Sequence, residues 1–139
     1  MNYLLDTCVM SELVKPAPSP SILMWFSTVA SPALFLSVMT IGEIRKGITK
    51  LPDSKKKDAL TLWLNRLIAE YADRILPIDL AVSERWGIMQ GEAERAGTPM
   101  ASLDGLIAAT ALVYHLTIVT RNERDFLPSR APLLNPWKS

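Results

Sequence analysis

The sequence holds one cysteine and one histidine in 139 residues, and these two scarcities remove several classes of site. Cys8 alone can close no internal disulfide and cannot build a cysteine-based zinc site. His115 alone excludes a histidine-rich metal centre; it follows the apolar face of the helix expected before it, so its expected role is structural. Long hydrophobic runs are missing too. The longest, Gly105 to Tyr114, is half of the ~20 residues that a bilayer span requires. The N-terminus has no basic region ahead of Tyr3-Leu4-Leu5, and that run stops at Asp6. Neither a membrane segment nor a targeting leader is expected, and disulfide-free usage suits the cytoplasm. A strong charge excess is also missing. With a formal net charge of +1, the chain does not read as a basic protein that coats nucleic acid.

What is present is enough apolar material for a core. Hydrophobic residues make up 49% and charged residues 21%, which places the chain outside the regime of disorder and suits one domain over residues 1–139. Short apolar runs at Asn2–Leu5, Leu34–Val38, Arg74–Ile78 and Thr117–Thr120 read as strands, with Leu133-Leu134 as a short fifth. Between them lie helical patterns. Thr7–Val14 ends at the Pro16, Pro18 and Pro20 cluster, and Ser19-Pro20 opens a helix to about Val29. Thr40 is expected to cap a helix with Ile41, Ile44 and Ile48 on one face. Asp53 or Ser54 starts a longer helix, in which Leu60, Trp63, Leu64, Leu67, Ile68 and Tyr71 form an apolar stripe. Asp79 caps another, closed by Gly97 as a left-handed residue. Ser102 caps the last long helix. The order βααβααβααβ predicts an α/β fold, a parallel sheet with helices on both faces.

In such sheets ligands bind beyond the carboxyl ends of the strands. Asp6 stands where the first strand ends, and an unpaired charge inside the sheet would be heavily penalised. Glu43 is expected in the first turn of the helix after the second strand, and Asp104 in the first turn of the helix before the fourth. Asn122 and Asp125 follow that fourth strand. A carboxylate in a first turn complements the helix dipole by itself; several gathered at strand ends are what a hard cation requires. Mg²⁺ takes oxygen ligands, keeps several waters and uses few carboxylates, and Mn²⁺ is a possible substitute. Without an ion, carboxylates so close would raise one another's pKa values. Lys46, Lys50, Lys55, Lys56 and Lys57 crowd one stretch, and Arg121 and Arg124 another. They read first as solvated surface; Lys46, Lys50 and Arg121 are candidates for phosphate contacts.

The residues also carry a resemblance. Leu5-Asp6-Thr7-Cys8-Val9-Met10-Ser11-Glu12-Leu13 with Lys15-Pro16 resembles the opening motif of PIN-domain nucleases, specifically VapC-type toxins of bacterial type II toxin–antitoxin pairs. Ser37-Val38-Met39-Thr40-Ile41-Gly42-Glu43-Ile44, Asp104 to Ala111 and Thr120 to Phe126 agree in order and spacing, and Asn135-Pro136-Trp137 looks like the closing residues of some members. The resemblance implies a PIN-like three-layer fold with a parallel sheet of four to five strands. It implies a metal-dependent ribonuclease that hydrolyses RNA with a metal-activated water. Asp6, Glu43 and Asp104 match the acidic triad that holds the metal, and Asp125 falls in the region of a fourth, more variable ligand. The family often has an acid where this chain has Asn122, so the fourth ligand lies open between Asn122, Asp125 and a water. Thr7 and Thr120 match small hydroxyl positions that orient water or phosphate. Cys8 stands where the family often has Asn and receives no role. A cognate antitoxin and a homodimer are the partners so implied. The large apolar residues Met24, Trp25, Phe26 and Trp63 are expected mostly in the core, or, where exposed, as a groove for a partner helix.

Two other phospho-chemistries that use strand-end aspartates fit less well. A haloacid-dehalogenase-type phosphatase requires a second aspartate two residues after the first, where this chain has Cys8. A receiver domain requires a lysine after the last strand, where it has Thr120-Arg121. The alternative from another class is a non-catalytic module that binds RNA or protein on the same fold.

Overall fold

The computed structural model describes residues 1–138. Tyr3–Leu5 forms β1 at the centre of a five-stranded, fully parallel sheet of order β3-β2-β1-β4-β5, with β2 at Leu34–Ser37, β3 at Ile75–Leu76, β4 at Thr117–Val119 and β5 at Leu133–Leu134. Successive strand residues face opposite sides, and each side has its own core. Leu4 and Ile118 pack with Val82, Met89, Ile107 and Phe126. Leu5 and Val119 pack with Val9, Leu36, Ile44 and Leu64. The first side is covered by α5 (Leu80–Arg95) and α6 (Ser102–Val113). The second is covered by α1 (Thr7–Leu13), α2 (Pro20–Thr28), α3 (Val38–Thr49) and α4 (Lys55–Glu70). A short α7 (Glu123–Phe126) links β4 to β5. This is the expected parallel sheet between two helical layers. Truncating a residue such as Leu4, fully buried at its centre, costs roughly 2–5 kcal/mol.

Helix starts follow local side-chain chemistry, and here some expectations change. Ser37, not Thr40, caps α3: its hydroxyl accepts from the Met39 N–H at 3.0 Å. That bond turns Val38 into the first helical residue and ends β2 one residue early. It also moves Glu43 from the first turn into the second, away from the helix dipole that would have explained it. Thr40 lies within α3, buried, with no partner for its hydroxyl. Ser54 caps α4 through the Lys57 N–H, and Asp79 caps α5 through the Val82 N–H. Ser102 does not cap α6; it is the first helical residue, and Ala101 stands at the cap position without a side-chain bond.

The turn before α6 is held from α5 instead. Gln90 donates to the Met100 carbonyl at 3.0 Å and accepts from its N–H at 3.3 Å. Gly105 lets the two helices approach, because a Cβ there would lie 2.9 Å from the indole nitrogen of Trp86. The one-sided stripe expected for α6 becomes burial nearly all round, from Gly105 through Ala111 except at Leu106, since α6 is wedged between α5, the sheet and the segment around α7. His115 is exposed rather than part of an apolar face. Its φ of 57° closes α6, and the Leu116 N–H returns to the Ala111 carbonyl at 2.8 Å. Gly97 closes α5 with φ 76°, as its position after the stripe predicts. No helix among the described residues is long and apolar enough to cross a membrane.

Candidate active site

The strand order places β1 beside β4 although β2 and β3 intervene in the chain, and a crevice opens where the chain departs to either side. Asp6 sits at its centre, 6% exposed. It caps α1, one oxygen accepting from the Thr7 N–H at 2.8 Å. The other accepts from the Thr120 hydroxyl at 2.8 Å and lies 3.5 Å from the Cys8 thiol. Burial raises the Asp6 pKa; the bonds from Thr120, Thr7 and Cys8 work against that rise, and the charge of Asp125 adds to it. The Thr120 hydroxyl in turn accepts from the Asn122 N–H at 3.0 Å, so the end of β4 is tied to the aspartate that ends β1.

Glu43 reaches the same place from α3. One of its oxygens accepts from the Thr7 hydroxyl at 2.5 Å. The other has no protein partner among the described residues. Asp104 enters from the first turn of α6, half-buried, and its carboxyl is pushed up to about 6. Burial is the largest cause, followed by the charges of Asp6, Asp125 and Glu43. Four carboxylates from four separate elements therefore share one field. None of them is ion-paired with a lysine or arginine among the described residues, where the ion pairs are Lys15–Glu12, Lys57–Asp53, Arg74–Asp73 and Lys138–Glu123.

The cluster is electrostatic rather than a closed cage. No three His, Cys, Asp or Glu groups among the described residues stand as a ready-made metal grip, and Asp6 spends its oxygens on protein donors. The donor chemistry nonetheless fits a hard divalent cation. The groups are oxygens only, they carry uncompensated negative charge, and a cation that keeps most of its waters requires one or two of them directly. Of the two residues left open for the fourth position, exposed Asp125 is the one whose charge reaches Asp6 and Asp104. Asn122 contributes its backbone N–H, and its side chain makes no capping bond.

Lys46 and Lys50 are exposed on α3 and at its end, outside any ion pair among the described residues. Lys57 instead braces the loop before α4, donating to the Leu51 carbonyl at 3.1 Å. Arg121 is exposed and stacks over Trp137 at 5.5 Å. Of the large apolar residues singled out, Trp25, Phe26 and Trp63 are half-buried in the core as expected, with Trp25 edge-on to Tyr3 at 5.1 Å. Met24 is 68% exposed. A shallow apolar groove beside Thr7 and Glu43 runs between α3 and α4, lined by Ile44, Ile48, Leu60 and Trp63.

Three contributors had no role in the sequence reading. Cys8 touches Asp6 and Thr120 and accepts from the Arg121 N–H at 3.5 Å, and its thiol is pushed up, first by burial and then by Asp6. Its two-residue spacing from Asp6 was the available signal. Buried Glu12 accepts from Lys15 and from the Ser19 N–H, both at 3.0 Å, and so pins α2 to α1; the Lys15 bond holds its carboxyl low. Glu123 receives Asn135 at 3.2 Å and Lys138 at 2.7 Å, anchoring the final segment beside α7. The last two bonds depend on chain crossings that no local pattern announces.

The chain matches known proteins over nearly its whole length. The family model for the PIN domain matches residues 3–128. The chain is 36% identical over 135 residues to toxin FitB of Neisseria gonorrhoeae, covering 96% of this chain and 97% of that one. It is 34% identical over 138 residues to VapC ribonuclease Y4jK of Sinorhizobium fredii, covering 96% of each. Among solved structures it is similar to FitAcB from Neisseria gonorrhoeae, with a TM-score of 0.93 at 34% identity over 99% of both chains.

Proposed function

The chain belongs to the PIN-domain family, and on that premise we propose that it is a metal-dependent ribonuclease, the toxin of a toxin–antitoxin pair, acting on RNA in the cytoplasm. One observation carries this reading. Asp6, Glu43, Asp104 and Asp125 converge in a single field with no ion pair among the described residues to balance them, and their charges add to burial in lifting Asp104 to about 6. Protein folds do not gather unbalanced carboxylates for stability, because their repulsion is unfavourable. A cation-binding role accounts for the cost.

Asp6, Glu43 and Asp104 would hold Mg²⁺, with Mn²⁺ as substitute, and Asp125 would complete the acidic group. Bound there, the ion supplies Lewis acidity, lowering the pKa of water and screening the charge of the scissile phosphate. The protein's own share is positioning. Thr120 and the Thr7 N–H fix the Asp6 carboxylate at the end of β1. The Thr7 hydroxyl occupies one oxygen of Glu43 and leaves its second to orient water. With the thiol of Cys8 half-buried against Asp6 and pushed up, and His115 exposed at the far end of α6, neither is placed to serve as the base. The carboxylates are the groups left to orient the attacking water.

Single-stranded RNA is the favoured substrate, because an unstacked strand can bend its backbone into a recessed site, with Lys46, Lys50 and Arg121 near the phosphates. The names of the two relatives, a toxin and a ribonuclease, support the same assignment. The apolar groove beside Glu43 suits an amphipathic helix of a cognate antitoxin, and a homodimer is the expected assembly. The test is Mg²⁺ titration by calorimetry alongside an RNA cleavage assay, on the purified chain and on Asp6→Asn and Glu43→Gln. Mg²⁺ heat and cleavage that both vanish in the variants support the proposal. RNA binding without cleavage in Mg²⁺ would make the chain a non-catalytic module.

A further inference from the structure

A second depression touches Glu43 from the other side. Its lining is Val38, Met39, Gly42, Glu43 and Lys46 of α3, with Leu103 of α6, and it encloses about 210 Å³. It therefore bridges the two helices that deliver Glu43 and Asp104. Its walls are apolar and partly open to solvent: Val38 is 38% exposed, and Met39 and Leu103 are half-buried. Gly42 leaves it unfilled, since a Cβ there would meet no atom within 4 Å. At its rim Lys46 extends into solvent without an ion pair among the described residues.

We propose that this notch is a base-binding subsite, taking one unstacked nucleobase of the RNA strand next to the scissile phosphate. The inference rests on the ribonuclease reading above and deepens it by giving the site a means of sequence choice. The chemistry matches on three sides. A nucleobase offers flat apolar faces, which Met39, Val38 and Leu103 can cover, and burial of those faces in a concave notch contributes binding that depends on how well each base fills it. The phosphate joining that nucleotide to the scissile one carries the negative charge that Lys46 meets at the rim. Glu43 lines both the notch and the acidic cluster, so a base seated in the first delivers its neighbouring phosphate to the second. A pocket that contacts one base imposes a preference at one position of the strand, and the open floor at Gly42 admits a purine.

Narrowing the notch tests this. Gly42→Leu adds a side chain where there is room for it and removes a helix-interior glycine, which favours the fold. Val38→Phe narrows the notch from the exposed start of α3, so the result does not hang on one variant. The probe is single-stranded RNA with randomised bases, digested by the purified full chain in Mg²⁺ and mapped by sequencing the cut ends. A second probe carries an abasic nucleotide at the preferred position. Wild type should show a base preference at one fixed distance from the cut. Both variants should flatten that preference or turn it from purine to pyrimidine, with at least a tenfold loss of kcat/KM on the preferred sequence, and all three proteins should converge on abasic RNA. Unchanged preference in both variants, with wild type active, overturns the subsite and leaves the ribonuclease reading intact. Unchanged preference with altered light-scattering mass overturns it in favour of a second copy seated on this face. Wild type that cleaves no RNA overturns both readings together.

Discussion

Replacing Asp104 by asparagine should make the metal-free protein more stable, although it removes a residue of the acidic cluster. The Asp104 carboxyl ordinarily titrates at 3.8 and is pushed up to about 6 by burial and by three neighbouring carboxylates. Between those values the folded protein keeps a proton that the unfolded chain releases. Stability contributed by this group is therefore fully present below pH 3.8, falls as pH rises towards 6, and stays low above it. A rise of that size corresponds to about 3 kcal/mol in an unscreened site. Asp104 is only half-buried, and water screening reduces the figure to roughly 1.5 kcal/mol. Against this, a carboxylate in the first turn of α6 gains about 0.5 kcal/mol from the helix dipole, which asparagine loses. Repulsion wins. Asp104→Asn should be about 1 kcal/mol more stable than wild type at pH 7 in EDTA, a Tm rise of about 3 °C for a chain of this length. Thermal melts at pH 3 should show almost no gap, because the Asp104 carboxyl is then largely neutral in both the folded and the unfolded chain. Adding Mg²⁺ at pH 7 should invert the order, since only the intact cluster binds the ion tightly. An Asp104→Asn protein less stable than wild type at pH 7 in EDTA, or a gap equal at pH 3 and pH 7, would refute the reasoning.

Other outcomes follow from the same contacts. Thr120→Val removes a fully buried hydroxyl that donates to Asp6 and accepts from the Asn122 N–H; denaturant melts should show a loss of roughly 1–3 kcal/mol, and RNA cleavage should fall at least tenfold, with Thr120→Ser recovering most of both. Gln90→Leu strips both backbone partners from buried Met100 at the entry to α6, which should cost about 2 kcal/mol in urea unfolding and weaken Mg²⁺ binding by moving Asp104. Lys46→Gln with Lys50→Gln should leave the melting temperature within a degree or two while weakening RNA binding, and the slope of log K against log salt should become shallower by up to about 1.4.

Much of this architecture was legible in the chain. The switch between short apolar runs and 3.6-residue stripes gave the strand and helix order, because a parallel sheet buries its strands on both faces and each helix on one. Asp6 stood at the end of the first of those runs, where a folded sheet opens its crevice, and Glu43 and Asp104 near the starts of helices beside it. Cap positions were less legible. Ser37 rather than Thr40 begins α3 because a serine directly after a strand can bend the backbone and bond the Met39 N–H at once, whereas Thr40 is swallowed by packing. The near-complete burial of α6 came from its neighbours, which leave it no solvent face. The bonds from Thr7 to Glu43 and from Thr120 to Asp6 span 36 and 114 residues, and only the fold brings such pairs together. The same holds for the lifted Asp104: mutual repulsion among carboxylates could be foreseen, but not that burial would be the larger cause, nor that hydrogen bonds would oppose the same rise at Asp6.

The most direct test of the central claim is the chemistry of the RNA ends. Purified protein should cut single-stranded RNA in Mg²⁺ to leave 5′-phosphate and 3′-hydroxyl termini, with cutting abolished by EDTA and by Asp6→Asn. Cleavage that persists in EDTA or in Asp6→Asn, or that leaves 2′,3′-cyclic phosphate ends, would contradict a metal-activated water held by the carboxylate cluster.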